Sequence, residues 1–105
     1  MLFRSVAERT APGPPGATPT YAQVVGAINR LAGENDLALT SAGGLPGEMN
    51  VNWLAKGMGT FDCEYGYSTM GYELAGAWGA RIARNEGEVI AFVGDGSYLM
   101  LNSEL

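Results

Sequence analysis

At 105 residues and 47% apolar content, the chain has the size of one ordinary globular domain with a thin core. A formal net charge of −5 leaves no basic face for a nucleic-acid backbone or an anionic membrane, so neither is expected as a partner. Histidine is absent and Cys63 stands alone, which excludes Ser-His-Asp and Cys-His catalysis, histidine zinc sites and an internal disulfide, and leaves any chemistry to a cofactor.

Met1-Leu-Phe-Arg-Ser-Val6 is too short an apolar run for a signal peptide or a membrane span, and no other run approaches the roughly 18 apolar residues a span needs. With a lone cysteine, this points to the cytoplasm. Residues 1–19 read as a flexible linker or N-terminal extension, because Ala11-Pro-Gly-Pro-Pro-Gly-Ala-Thr-Pro-Thr20 cannot hold a helix or a central strand. Residues 20–105 then read as part of one domain.

Thr20 and Gln23 form a capping box, and Tyr21, Val24, Val25, Ile28 and Leu31 fall on one face of the helix that follows, which Gly33 ends. Leu37 to Ser41 is a short buried strand that runs into the loop Ala42-Gly-Gly-Leu-Pro-Gly47. Between Glu48 and Phe61 no period is clean, and a short helix is expected near Val51 to Lys56. From Met70 to Arg84 the pattern is helical, with Met70, Leu74, Trp78 and Ile82 aligned and glycines and alanines over much of the remaining surface. Each interior glycine costs such a helix about 1 kcal/mol against alanine, which implies close packing or a ligand.

Val89 to Val93 is the next strand. It breaks into Gly94-Asp95-Gly96-Ser97, and a helix opening at Ser97 carries Tyr98, Leu99, Met100, Leu101 and Leu105 with no stop signal after it, as in a piece of something longer. Strands alternating with helices predict an α/β fold with a parallel sheet flanked by helices, whose ligands lie beyond the carboxyl ends of the strands. The Gly43-Gly44 and Gly94-Asp95-Gly96 loops would flank one crevice if their strands are neighbours. Gly94 to Ser97 suits a diphosphate and metal cradle: a carboxylate for a hard cation, glycines for close backbone approach, and free helix N–H groups for an anion. Taken alone, Gly-Asp-Gly fits a hairpin turn equally well, Asp95 fits a helix cap, and Met70 fits the core.

The order Gly43-Gly44, then Glu64-Tyr-Gly-Tyr-Ser-Thr-Met-Gly-Tyr-Glu73, then Val93-Gly-Asp-Gly-Ser-Tyr98 resembles the diphosphate-binding domain of thiamine-diphosphate-dependent enzymes. Within that superfamily, Glu64 to Gly76 and Gly94 to Glu104 look most like the trihydroxycyclohexanedione hydrolase family of myo-inositol breakdown, with acetolactate-synthase-like enzymes next. The resemblance implies thiamine diphosphate and Mg²⁺ as cofactors, with Asp95 as a metal ligand. It implies that the backbone of Gly94, Gly96 and Ser97 holds the diphosphate. It further implies that Met70 props the cofactor in a bent shape, that the Ser68 carbonyl and Met70 amide meet the pyrimidine, and that Gly44 belongs to the loop after the first strand.

The metal motif of these enzymes closes with an Asn farther downstream than Asn102, at a position expected past Leu105. Their activating glutamate sits in a separate N-terminal domain, so no catalytic residue is assigned here and neither Glu64 nor Glu73 takes that role. The implied whole protein is a C–C hydrolase of a cyclic, polyol-derived dione and a homo-oligomer, of which this chain alone is an inactive fragment. The alternatives are an acetolactate-type carboligase or 2-oxo acid decarboxylase, and a non-catalytic remnant. Most of Glu64, Tyr65, Tyr67, Tyr72 and Glu73 read as structural, Cys63 as buried or half-buried, and Trp53 and Trp78 as packing groups.

Overall fold

An apolar run of four residues, Leu37–Thr40 (β1), is buried along its whole length, as a strand with neighbours on both edges and helices on both faces must be. The computed structural model describes residues 5–105, with the backbone alone for Glu104. β1 is the middle strand of a three-stranded sheet ordered β2-β1-β3, with β2 at Phe61–Cys63 and β3 at Val89–Phe92. Both pairings are parallel. Ala38 lies level with Phe61 and with Ile90, and Thr40 with Cys63 and with Phe92. The Thr40 hydroxyl donates to the Phe92 carbonyl at 3.2 Å, so this buried polar side chain strengthens the β1–β3 pairing. With the helices packed around it, this is the α/β architecture that the alternating pattern predicts.

β2 has no counterpart in the sequence reading. Three residues with an aspartate in the middle show no period, and pairing with β1 is what makes Phe61-Asp-Cys63 a strand.

Helix α1, Val6–Thr10, falls within the stretch read as a flexible extension. Its Ser5 and Glu8 form a capping box, Thr10 is buried, and the Arg9 guanidinium meets the Glu48 carboxylate at 2.7 Å. The spacing of Ser5 and Glu8 is the sequence signal that the prolines beyond it overshadow. The following stretch up to Thr20 carries no helix or strand, as its prolines dictate.

Helix α2, Tyr21–Leu31, starts from the expected box: Thr20 Oγ1 accepts from the Gln23 N–H at 3.3 Å and Gln23 Oε1 accepts from the Thr20 N–H at 2.9 Å. Its buried face differs from the predicted stripe. Ala22, Val25, Gly26 and Asn29 are buried, whereas Leu31 is 87% exposed. The reason is close approach. A Cβ on Gly26 would stand 2.3 Å from the Thr10 Cβ and 2.9 Å from the Thr10 carbonyl oxygen, so α1 crosses α2 where a side chain is missing.

Helix α3 spans Gly44–Asn52 and not the region from Val51 to Lys56. Gly43, its N-cap, has φ 102° and ψ −169°, a backbone state open only to glycine, and Pro46 is tolerated because it sits in the first turn. Helix α4, Tyr72–Ala83, begins after Met70, with Gly71 as its N-cap at φ 96°. Of the predicted apolar stripe only Leu74 is buried; Trp78 is 59% and Ile82 73% exposed. Gly76 also faces the sheet: a Cβ there would lie 3.3 Å from Leu39 Cδ1, while Ala75, Gly79 and Ala83 are exposed.

Helix α5 runs Asp95–Leu101, opening two residues before Ser97, and a 3₁₀ turn follows at Asn102–Glu104. The core joins Val25, Ala38, Met49 and Phe92, with Ile28, Leu45, Trp53, Phe61 and Ile90 packed around them. Trp53 meets the Phe92 ring edge-on at 5.6 Å, a packing role that Trp78 does not share. Among the described residues no helix is long and apolar enough to cross a membrane.

The α1–α2 contact gives a prediction. By intrinsic propensity, Gly26→Ala would favour α2 by about 1 kcal/mol. The clash with Thr10 outweighs that gain, and chemical denaturation is expected to show a net loss of about 1–2 kcal/mol.

Candidate cofactor site

Because β1, β2 and β3 are parallel and adjacent, the segments that leave them emerge on one sheet edge: Ser41 to Gly43, Glu64 to Gly71, and Val93 to Gly94. The two glycine loops therefore do flank a common edge.

The middle segment has no regular secondary structure and is held by side chains. The Glu64 carboxylate accepts the Thr69 N–H at 2.7 Å and the Tyr67 N–H at 3.0 Å, and these two bonds, Thr69's first, hold it below the usual carboxylate range. The buried Ser41 hydroxyl directs its proton to the Thr69 carbonyl at 2.7 Å, with the Glu64 carbonyl a second acceptor at 3.1 Å. Ser68 is the one described non-glycine residue at positive φ, 54°, a left-handed state that costs a non-glycine residue about 1–2 kcal/mol.

Glu73, in the first turn of α4, is 0% exposed; its Oε2 accepts the Gly71 N–H at 3.0 Å and its Oε1 the Ala42 N–H at 3.2 Å. On the other side, a Cβ on Gly71 would stand 2.2 Å from Leu101 Cδ1, so the start of α4 lies directly on the end of α5.

Met70 is thereby placed between two fixed neighbours. Its side chain is 42% exposed, and its Cε lies 3.1 Å from where a Gly96 Cβ would be. Gly94 has nothing within 4 Å of such a position, and Ser97 is buried. Asp95 is the first residue of α5, exposed, one position past the N-cap Gly94, and its Oδ1 accepts the adjacent first-turn Gly96 N–H at 2.9 Å. Of the predicted residues, the structure brings Ser68, Met70, Gly94, Asp95, Gly96 and Ser97 to one edge. Gly44 differs: a Cβ there would meet only Tyr21 Cε2, at 3.9 Å, and the residue whose backbone demands glycine is Gly43.

Residues 42–105 match the thiamine pyrophosphate enzyme C-terminal TPP binding domain. The chain belongs to this family. It is also 46% identical over 90 residues to a 3D-(3,5/4)-trihydroxycyclohexane-1,2-dione hydrolase of Geobacillus thermodenitrificans (strain NG80-2), covering 86% of this chain and 14% of the relative. A protein of the same name from Bacillus thuringiensis (strain Al Hakam) is 49% identical over the same coverage, and one from Bacillus anthracis (strain CDC 684 / NRRL 3495) is 48% identical. The chain thus spans about 14% of the length of the curated relatives it matches.

The edge fits what this family binds. The space beside Gly94 is open to a ligand, and the first-turn amides of α5 have no backbone partners within the helix, that of Gly96 being held only by the Asp95 carboxylate. The Thr69 N–H and carbonyl are both engaged, whereas the flanking Ser68 carbonyl and Met70 N–H enter no hydrogen bond among the described residues. Asp95 brings a single carboxylate to that loop, and no group of three His, Cys, Asp or Glu side chains gathers among the described residues.

Two residues at the edge have no functional counterpart in the sequence reading. Ser41 is there the last residue of a strand, and Glu73 one acid near a helix start. The available signal for Glu73 is its setting, an acid with Gly71, Leu74, Ala75 and Gly76 around it. Cys63 is half-buried as expected; burial first, then the nearby Asp62 and Glu64, push its thiol up, against use as a nucleophile. Beside it, the Tyr72 hydroxyl donates to Asp62 Oδ2 at 2.5 Å, tying α4 to β2, and this bond is the main reason the phenol is pushed up to about 12.

Two pH effects follow, of opposite sign. Tyr72 is raised by folding, so its bond stabilises fully below the ordinary tyrosine value of about 10 and is lost as pH rises through about 12. An ultraviolet titration of the five tyrosines is expected to show one lagging the rest, with Asp62→Asn removing the lag. Glu64 is depressed, so its hold on the turn is complete above the ordinary glutamate value of about 4.3 and fails as pH falls through its lower folded value. The amide resonances of Tyr67 and Thr69 are expected to move together in that acid range, and Glu64→Gln to abolish the movement.

Proposed function

We propose that this chain forms the diphosphate-holding wall of a thiamine-diphosphate- and Mg²⁺-dependent hydrolase that cleaves a ring C–C bond of a cyclic 1,2-dione, the trihydroxycyclohexanedione of myo-inositol breakdown. The observation that carries it is the contact between Met70 and Gly96, which brings the Ser68 to Met70 segment against the Gly94 to Ser97 loop on one sheet edge. The 46–49% identity to hydrolases of that dione supports the choice of substrate.

In this reading Asp95 is a ligand of Mg²⁺. Its carboxylate now accepts the Gly96 N–H, so turning it toward a cation releases that amide, which joins the Ser97 amide and the open backbone at Gly94 in holding diphosphate oxygens. The Ser68 carbonyl and the Met70 N–H take the pyrimidine, the Met70 side chain supports the bend between the two rings, and the loop through Gly43 and Gly44 closes the edge beside them. Bound there, thiamine diphosphate supplies a nucleophilic carbon and an electron sink, chemistry that a histidine-free chain does not offer by itself.

The chain's own work is placement: it fixes both ends of the cofactor before reaction, so the reacting groups need no further ordering. The glutamate that activates the pyrimidine and a further metal ligand are assigned to the remainder of a longer, cytoplasmic, homo-oligomeric enzyme. The exposed apolar side chains Trp78, Ile82, Leu99 and Met100 support an association surface.

Thermal unfolding of this chain with thiamine diphosphate and Mg²⁺ tests the wall itself. A ligand of the folded state stabilises by about 2.7 kcal/mol at 100 times its Kd. A rise in Tm that needs both components and disappears in Asp95→Ala is expected; no rise, or an equal rise in that variant, refutes the cradle. For the whole enzyme, turnover of the cyclic dione is expected and carboligation of pyruvate is not.

A further inference from the structure

We infer that Glu73 is a positioning residue for the pyrimidine half of the site, acting through the backbone of Gly71 and Ala42 with Ser41 as its partner; this rests on the cofactor reading above. A carboxyl group that is fully buried needs a reason, since removal from water costs several kcal/mol unless hydrogen bonds replace hydration. Here no cation serves: the single ion pair among the described residues is Arg9 with Glu48, far along the chain. The partners are two backbone N–H groups on different segments, Gly71 at 3.0 Å and Ala42 at 3.2 Å.

Those segments are the ones that matter. Gly71 directly follows Met70, and Ala42 directly precedes Gly43, whose backbone state only glycine adopts. Ser41, next to Ala42, holds the Thr69 carbonyl at 2.7 Å. Ser41, just past β1, thus holds the Thr69 carbonyl, and Glu73, in the first turn of α4, holds the Gly71 N–H and ties it to Ala42, at two points on either side of the free Met70 N–H. Neither side chain hydrogen-bonds the Gly94 to Ser97 loop. The two halves of the site therefore have separate supports, and Glu73 acts on one of them.

The separation makes the role measurable. The chain is titrated with thiamine diphosphate and, separately, with inorganic diphosphate, each with Mg²⁺, while amide resonances are followed by NMR. In the wild type, thiamine diphosphate is expected to shift Met70, Gly96 and Ser97, and inorganic diphosphate only Gly96 and Ser97. Glu73→Gln keeps the size but offers an NH₂ where one N–H needs an acceptor. It is expected to weaken thiamine diphosphate about tenfold, to erase the Met70 shift, and to leave the inorganic diphosphate affinity unchanged. Ser41→Ala is the second variant, expected to show the same split to a smaller extent, and its spectrum reports folding independently. Equal losses for both ligands mark a general structural role and overturn the inference, as does an unchanged thiamine diphosphate affinity in both variants. A wild type that binds neither ligand refutes the cofactor reading itself, an outcome distinct from either.

Discussion

The pairing of β1 with a strand on each side is the constraint on which the rest depends. Parallel neighbours in register bring Thr40, Cys63 and Phe92 level, so the chain leaves all three strands at the same height and the next residues share one edge. A slip of one residue would turn every side chain of β1 to the opposite face, moving Leu39 and Thr40 out of their contacts and carrying Ser41 away from Thr69. The buried Thr40 and Ser41 hydroxyls, which would lose the Phe92 and Thr69 carbonyls, oppose this. These bonds thus hold register, and register fixes which loops meet.

What meets at that edge is ordered by side chains more than by secondary structure. Glu64, Ser41 and Glu73 each hold backbone groups of the segment from Tyr67 to Gly71, and together they maintain Ser68 in its left-handed state. A strained residue costing about 1–2 kcal/mol persists where its neighbours over-determine it, and several such bonds at about 1 kcal/mol each suffice. The strain falls beside the carbonyl and amide left free for a ligand. Strained residues of this kind cluster at ligand clamps and active sites, where the surroundings over-determine them.

The architecture was legible because its signals are local: a capping box at Thr20, a buried strand at Leu37, and a strand breaking into glycines at Gly94. The motifs of the candidate site were legible in the sequence, and the sheet brings the segments that carry them to one edge. Illegible were features decided by tertiary contact. β2 exists through its partner, α1 through a cap in a stretch dominated by its prolines, and Glu73's burial through where α4 comes to rest. The apolar stripes of α2 and α4 held only in part: Val25, Ile28 and Leu74 pack inward, whereas Leu31, Trp78 and Ile82 face outward. Gly26 and Gly76 add close contacts that hydrophobic periodicity, which reads bulk as the packed face, does not register.

The two halves of the site differ in how firmly they are built. The Ser68 to Met70 segment is tied to the buried central strand, whereas Gly94 to Ser97 leaves β3, an edge strand with Ala91 exposed, and opens a helix of seven residues whose Leu99 and Met100 face outward. Leu101 is seated against Gly71, and Met70 against Gly96. Both use a glycine to let a side chain close the gap, and no hydrogen bond among the described residues joins the two segments. Such a joint transmits position without locking it. The Ser68 to Met70 segment is held by hydrogen bonds from the end of the central strand and from α4, whereas the Gly94 to Ser97 loop meets it through side-chain packing.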